Sequence, residues 1–364
     1  MDSERRELTI FGWREFFAAS FQLYDGSKYL PARVAVEHKN FFRLYTQRGE
    51  ILAELAGKLR HEAQNRGDLP AVGDWVVTRL SPEADRAIIE AVLPRRTKFT
   101  RKVAGARSDE QVIAANVDTV FLVTSLNQDF NPRRIERYLI PAWESGANPV
   151  VILSKSDLCD DTGSRVNEIK KSTGGRVPVH AISVFVEDGL SELDQYFQPG
   201  QTVAFLGSSG VGKSTLINHL IGSEHLRVRE VRESDGRGRH TTTHRELILL
   251  PRGGLVLDTP GMRELQLWKN DEGSGLQLGF SDVEAFASQC YFSNCRHEDE
   301  PRCAVREALA NGLLDRKRYE NYLKLGKELQ YLSRKQDLGL ALAEKKRWKK
   351  LTRMASQRAQ SKRK

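Results

Sequence analysis

The chain is poor in sulfur: four cysteines and three methionines in 364 residues. So few thiols, three of them confined to residues 290–303, do not make the framework of a disulfide-stapled secreted domain. Long apolar runs are also missing, and no stretch approaches the ~18 residues of a membrane span. After Met1-Asp2-Ser3-Glu4-Arg5-Arg6 there is no apolar core of a secretory signal, so a cytoplasmic protein without membrane contact is expected. What is present, 39% hydrophobic and 29% charged residues, excludes a disordered polyelectrolyte and supplies core for two or three domains.

Acid is absent from one place in particular. Residues 345–364 hold ten lysines and arginines and no aspartate or glutamate, which leaves 47 basic against 48 acidic residues over 1–344. The formal surplus of +9 therefore belongs to the tail, while the body is nearly neutral. Such a block reads as a solvated arm whose commonest partner is a nucleic acid.

The first hundred residues contain short apolar or alternating runs at 31–36, 41–45, 51–55, 75–78 and 87–92, separated by turn residues such as Gly49, Gly67, Gly73-Asp74 and Ser81-Pro82. Five short strands in so little chain point to a small barrel of the oligonucleotide-binding type, for which an SH3-like barrel is the look-alike. Phe11, Trp13, Phe16, Phe17 and Phe21 before it are expected to pack on that barrel as a helix or arm. A basic, turn-prone linker follows Pro94. Buried-strand runs at 120–123, 150–153, 177–182 and 203–206 then alternate with helical stretches such as 132–145, the pattern of a parallel sheet covered on both faces. A hairpin is expected at 246–258 around Arg252-Gly253-Gly254.

Gly207-Ser208-Ser209-Gly210-Val211-Gly212-Lys213-Ser214-Thr215 satisfies GxxxxGK[ST] between a strand and a helix. Its glycines let backbone N–H groups converge on an anion at a helix N-terminus. Lys213 is positioned for the β- and γ-phosphates and the Ser214 hydroxyl for Mg²⁺. Asp258, opening Asp258-Thr259-Pro260-Gly261 at a strand end, is the second Mg²⁺ candidate. The hydroxyl-rich segment 236–243 between them reads as a switch loop closing on the γ-phosphate.

Ser154-Lys155-Ser156-Asp157 resembles the [NT]KxD motif by which GTPases select guanine. A carboxylate accepts from guanine N1 and N2, whereas adenine would present an acceptor to it. Lys155 can cover the base face with its stem, and Ser154 stands where Asn or Thr is usual. Ser183-Val184 fits the fifth GTPase motif, with backbone N–H groups toward the guanine oxygen. These base motifs precede the phosphate loop, the reverse of the ordinary order. Circular permutation preserves a closed three-dimensional site. Farther on, Cys290-x4-Cys295-x-His297-x5-Cys303 offers three thiolates and an imidazole, a closed tetrahedral set that suits one structural zinc.

Together these motifs resemble the circularly permuted, ribosome small-subunit-dependent GTPases of the RsgA, or YjeQ, type, over nearly the whole chain. The resemblance implies a multidomain protein: an aromatic N-terminal segment and OB-fold barrel (1–98), a linker (99–112), a permuted P-loop GTPase α/β domain (113–279), a helical zinc-binding subdomain (280–344) and a basic tail (345–364). It implies GTP hydrolysis with Mg²⁺, 30S subunits and 16S rRNA as partners, a monomer, and a role in late small-subunit maturation. Met262 occupies the place where many GTPases carry a water-orienting Gln, so slow intrinsic hydrolysis and stimulation by the subunit are expected, with His240 the candidate to position water and Thr242 the third Mg²⁺ ligand. Two other classes remain open at this point: a P-loop phosphotransferase acting on a small molecule, and a non-enzymatic RNA-binding protein.

Overall fold

The N-terminal aromatics fold back as one hydrophobic arm. In a computed structural model that describes residues 7–24, 28–80, 86–102, 110–127, 130–186, 188–222, 245–258 and 274–334, a 3₁₀ turn (Glu7–Phe11) and helix α1 (Glu15–Phe21) bury Leu8, Trp13, Phe17 and Phe21 against Trp75, Val77 and Leu93. Trp13 meets Trp75 edge-on with centroids 4.7 Å apart, and each such ring removed from water contributes about 1.5–3 kcal/mol. Phe16, on the outer face of α1, is 44% exposed.

The five alternating runs become β1 (Leu30–Glu37), β2 (Phe42–Thr46), β3 (Gly49–Leu55), β4 (Trp75–Leu80) and β5 (Arg86–Val92), with the short α2 (Gly57–Glu62) after β3. Pairing runs β1–β2–β3–β5–β4 and returns to β1, so the barrel is closed; β3–β5 is parallel and the other pairs are antiparallel. This order is that of the oligonucleotide-binding barrel. Ala32, Val34, Leu44, Ala53, Val76 and Ile89 fill it because alternate residues of each strand face inward.

The stretch read as a turn-prone linker is a two-stranded ribbon instead, β6 (Lys98–Lys102) on β7 (Glu110–Ala115). Its polar composition hid one buried anchor: Phe99 is 1% exposed and joins Ile113 and Ala114 in the main core.

The α/β part is built on parallel strands β8 (Thr119–Ser125), β9 (Asn148–Ser154), β10 (Val179–Ala181), β11 (Thr202–Leu206) and β13 (Leu255–Asp258), in spatial order β10-β9-β8-β11-β13. The hairpin strand β12 (Glu246–Leu249) runs antiparallel on β13. Both sheet faces are covered, as continuous apolar runs require. Along β8, Val120 and Leu122 join one core and Phe121 and Val123 the other. Helices α3 (Pro132–Glu144), α4 (Thr162–Ser172) and α5 (Lys213–Ile221) pack on it; Asn131 caps α3 by accepting from Arg133 N at 3.0 Å.

Barrel and α/β sheet are hydrogen-bonded into one eleven-stranded sheet, because Val36 of β1 pairs with Glu246 of β12. Tyr45 O–H donates to Leu247 O (2.9 Å), Arg43 pairs with Glu246 and Arg245 with Glu37 (3.5 Å) across the seam. Beneath it lies Arg33, 1% exposed, donating to Gly73 O (3.2 Å), Asn116 O (3.0 Å), Thr202 Oγ1 (3.0 Å) and Phe11 O. Burial lowers its pKa to about 10, so the guanidinium stays charged at neutral pH.

The C-terminal module comprises α6 (Ser274–Gly279), α7 (Ser281–Ala287), α8 (Ala304–Ala310) and a helix α9 over residues 316–334. It docks on α3 through Ile140, which joins Phe280, Val283, Val305 and Leu325. Arg318, 4% exposed, binds Asp282 through two bonds (2.6 and 2.7 Å), Glu136 (3.2 Å) and Gly279 O (2.8 Å), so its buried charge is matched. Among the described residues no helix is long and apolar enough to cross a membrane. The basic tail lies outside the described residues.

Candidate nucleotide site and metal centre

The phosphate loop leaves the carboxyl end of β11 in the middle of the parallel sheet, where α/β folds bind ligands. Gly207 is required by contact as well as by backbone: its φ is 157°, and a Cβ there would lie 2.3 Å from Val123 O. Gly210 (φ 78°) and Gly212 (φ 93°) take left-handed conformations that turn the chain into α5. Lys213 Nζ donates to Gly207 O (2.7 Å) and Ser208 O (2.5 Å). Val211 is buried under the loop, while Ser209 and Gly210 are exposed and Ser214 and Thr215 are half-buried in the first turn of α5.

The base motif stands beside it despite preceding it in sequence. Ser154, buried at the end of β9, donates to Val211 O at 2.6 Å and lies 3.3 Å from Thr124 O. Lys155 has a left-handed backbone (φ 59°), and its ammonium reaches Gly210 O at 3.0 Å. Asp157 is exposed in a short 3₁₀ turn. The parallel register Ala181↔Leu153 brings Ser183-Val184 to the same edge, and Ser156 N donates to Ile182 O (3.1 Å). Ser183 Oγ accepts from Phe185 N (3.1 Å), fixing that loop. The structure therefore brings Ser154, Lys155, Asp157, Ser183, Val184 and residues 207–215 to one end of the sheet.

Asp258 ends β13, which pairs with β11 through Ala204↔Leu257, so its carboxylate belongs to the same end. A serine hydroxyl and a carboxylate are hard oxygen donors, and Ser214 with Asp258 fits Mg²⁺. His240, Thr242, Met262 and the remainder of Asp258-Thr259-Pro260-Gly261 lie outside the described residues.

Two residues of this site had no motif to announce them. Arg134 Nη1 donates to Ser208 Oγ at 3.1 Å, and Tyr138 O–H lies 3.5 Å from the same oxygen. Their i, i+4 spacing puts both on one face of α3. On sequence, Tyr138 falls on the apolar stripe of the helix with Ile135, Leu139 and Trp143, and Arg134 carries no signal of its own.

The second candidate centre is the cysteine cluster. Cys290, Cys295, His297 and Cys303 place their donor atoms within 4.8 Å of one another. Cys290 Sγ is 3.9 Å from Cys303 Sγ, and His297 Nδ1 is 3.5 and 3.4 Å from these two sulfurs. Tetrahedral zinc with Zn–S of about 2.3 Å and Zn–N of about 2.0–2.1 Å has ligand–ligand edges of about 3.5–3.8 Å. The edges match, and a disulfide, with sulfurs about 2.05 Å apart, does not. His297 (φ 62°) and Arg302 (φ 56°) adopt left-handed turns that fold the two ligand-bearing loops onto each other. The donor set fits one zinc ion and leaves no open position, as suits a structural ion.

Comparison with known proteins agrees with this geometry. The family model described as RsgA GTPase matches residues 92–268, and a model described as 50S ribosome-binding GTPase matches residues 202–358. The chain is 51% identical over 352 residues to the small ribosomal subunit biogenesis GTPase RsgA of Opitutus terrae, covering 94% of this chain and 95% of that protein. It is 47% identical over 329 residues to RsgA 1 of Oceanobacillus iheyensis, covering 90% and 93%. The crystal structure of YjeQ from Thermotoga maritima, 31% identical, superposes with a TM-score of 0.64 over 83% of this chain and 99% of that one. YloQ, a circularly permuted GTPase, is 25% identical, with a TM-score of 0.61 over 83% and 95%.

Proposed function

Since the chain belongs to the RsgA GTPases, we propose that it is a GTP hydrolase serving as a nucleotide-dependent switch in late maturation of the 30S ribosomal subunit, acting as a monomer in the cytoplasm. The carrying observation is the bond from Ser154 to Val211, which joins a guanine-type motif to a phosphate loop 53 residues later in the chain. A kinase for a small molecule has no use for that junction, and an intact Lys213, Ser214 and Asp258 argues against a relic site.

In this reading Asp157 accepts from the guanine edge, Lys155 covers the base and the Ser183-Val184 amides meet its carbonyl. Lys213 and the amides of residues 207–214 neutralise the charge spread over the γ-phosphate as water attacks in line. Ser214, Asp258 and Thr242 would hold Mg²⁺, which when bound would supply charge stabilisation to the phosphates. With Met262 unable to orient water through a strong hydrogen bond, His240 takes that task once the subunit orders its loop. The barrel and the basic tail contact 16S rRNA, and one structural zinc at Cys290, Cys295, His297 and Cys303 maintains the C-terminal module. The domain limits follow the same reading: barrel to residue 98, ribbon linker 99–112, GTPase unit 113–279, zinc module 280–344 and tail from 345.

The test is steady-state hydrolysis of GTP and ATP by the full chain, alone and with purified 30S subunits. GTP turnover should be slow alone and rise at least tenfold with 30S, and ATP should be inert. Because one matching family model is described as 50S ribosome-binding, 50S subunits are the control. Equal stimulation by both subunits, or none, would sink the proposal.

A further inference from the structure

Helix α3 carries three arginines within five residues, and they are not equivalent. Arg133 pairs with Glu136 (2.6 Å) and Asp315 (3.0 Å), and Arg137 grips Glu328 with two bonds of 2.6 Å. Both charges are matched by acids, and both tie α3 to the C-terminal module. Arg134, between them in sequence, turns the other way. It is half-buried, and the one side-chain hydrogen bond it makes among the described residues is to a neutral acceptor, Ser208 Oγ (3.1 Å). Among the described residues no carboxylate lies within ion-pair distance of it.

A partly desolvated guanidinium without a counter-ion is costly unless an anion comes to it. The acceptor it holds says which anion. Ser208 is the second residue of the phosphate loop, and its carbonyl oxygen is 2.5 Å from Lys213 Nζ. Lys213 is the side chain that reaches the β- and γ-phosphates, so Ser208 flanks the distal end of the phosphate chain. Two cations thus hold one residue, Lys213 at its carbonyl and Arg134 at its hydroxyl, with Tyr138 O–H (3.5 Å) beside the second bond.

We infer that Arg134 is a positioning residue of the nucleotide site: acting through Ser208, it fixes the distal end of the phosphate loop and brings an unmatched positive charge that favours nucleoside triphosphate over diphosphate. The inference rests on the reading of residues 207–214 as the phosphate loop of a GTP site. The stiff planar fork of Arg134 loses less freedom on binding than a lysine would.

The experiment is equilibrium binding of fluorescent GDP and of a non-hydrolysable GTP analogue to the full chain and to R134A, R134K and S208A. Binding by the wild type tests the GTP-site reading by itself; the ratio of the two affinities tests Arg134. R134A should weaken the triphosphate analogue about tenfold and GDP by no more than about threefold, because the added charge acts on the distal phosphate. R134K, which keeps the charge, should recover much of that preference. S208A should shift the ratio in the same direction by less, and the double variant R134A/S208A should lose less than the sum of the two, since both break one contact. Equal losses for both nucleotides would mean loop packing alone and overturn the inference. Additive losses, or an R134K as poor as R134A, would do the same. Should R134A fail to fold, S208A carries the test, and an unchanged ratio there refutes the inference.

Discussion

Ser154 shows how one atom compensates for an unusual residue. A hydroxyl has a single proton to give, and the 2.6 Å contact to Val211 O, against 3.3 Å to Thr124 O, marks where it goes. An asparagine would offer two donors, but one suffices to tie the base loop to the phosphate loop. Removing a buried bond of this kind costs about 1 kcal/mol, so S154A should bind guanine nucleotides roughly fivefold more weakly, GDP and GTP alike, in a fluorescence titration. That uniform loss separates it from R134A. The phosphate loop, with Gly207 and Lys213, was legible in the sequence because its chemistry admits few residue types at fixed spacing. Arg134 was not legible: an arginine on a polar helix face looks the same whether it meets water or Ser208.

Among the elements, α3 does the most connecting. It meets the phosphate loop through Arg134 and Tyr138, the sheet through Ile135 and Leu139, and the C-terminal module through Arg137 and Ile140. Its last turn lies so close to α6 that a Cβ on Gly275 would come within 2.8 Å of Ile140 O and 2.6 Å of Glu144 Cγ. Burial in this contact pushes the Glu144 carboxyl up to about 7, from an ordinary 4.5. Between those values the folded chain holds a proton that the unfolded chain has released. Stability from this group is therefore intact below about pH 4.5, falls as pH rises toward 7, and is lost above it. E144Q, neutral throughout, should melt a few degrees above wild type at pH 8, with the gap closing toward pH 4.5; calorimetry across that range checks it. The helix itself was readable as a helical stretch over 132–145, and the Cys290, Cys295, His297 and Cys303 cluster from its spacing. The β6–β7 ribbon was not, because five residues rich in Lys, Arg and Thr show too little alternation around Phe99. The contact between α3 and α9 joins residues some 180–190 positions apart, and no local pattern announces it.

For the molecule as a whole, charge and topology divide the work. On the proposed reading, a near-neutral body meets rRNA by shape and local contacts, while the ten charges of 345–364 add attraction without sequence preference. Deleting that tail should weaken 30S binding several-fold at about 50 mM salt and little at about 200 mM or above, with guanine nucleotide affinity unchanged; a filter-binding series over salt tests this. The barrel and the parallel sheet were both foreseeable from strand patterns, and the permutation from the order of the motifs, with the base motif ahead of the phosphate loop. Their fusion through β1 and β12 was not, because it depends on two edges meeting that the sequence treats as unrelated.

That fusion also sets the order in which the protein can be made. Val36 and Glu246 are 210 residues apart and the last barrel strand ends at Val92, so at about 5–20 residues per second the barrel is complete for about 8–30 s before its partner strand is synthesised. Through that interval the exposed end of β1 is an open edge, short and ending in Glu37, which limits its pairing with other chains. The seam closes only when the strand that follows segment 236–243 has arrived. A nascent chain halted before that point owns a finished barrel with nothing to report to it.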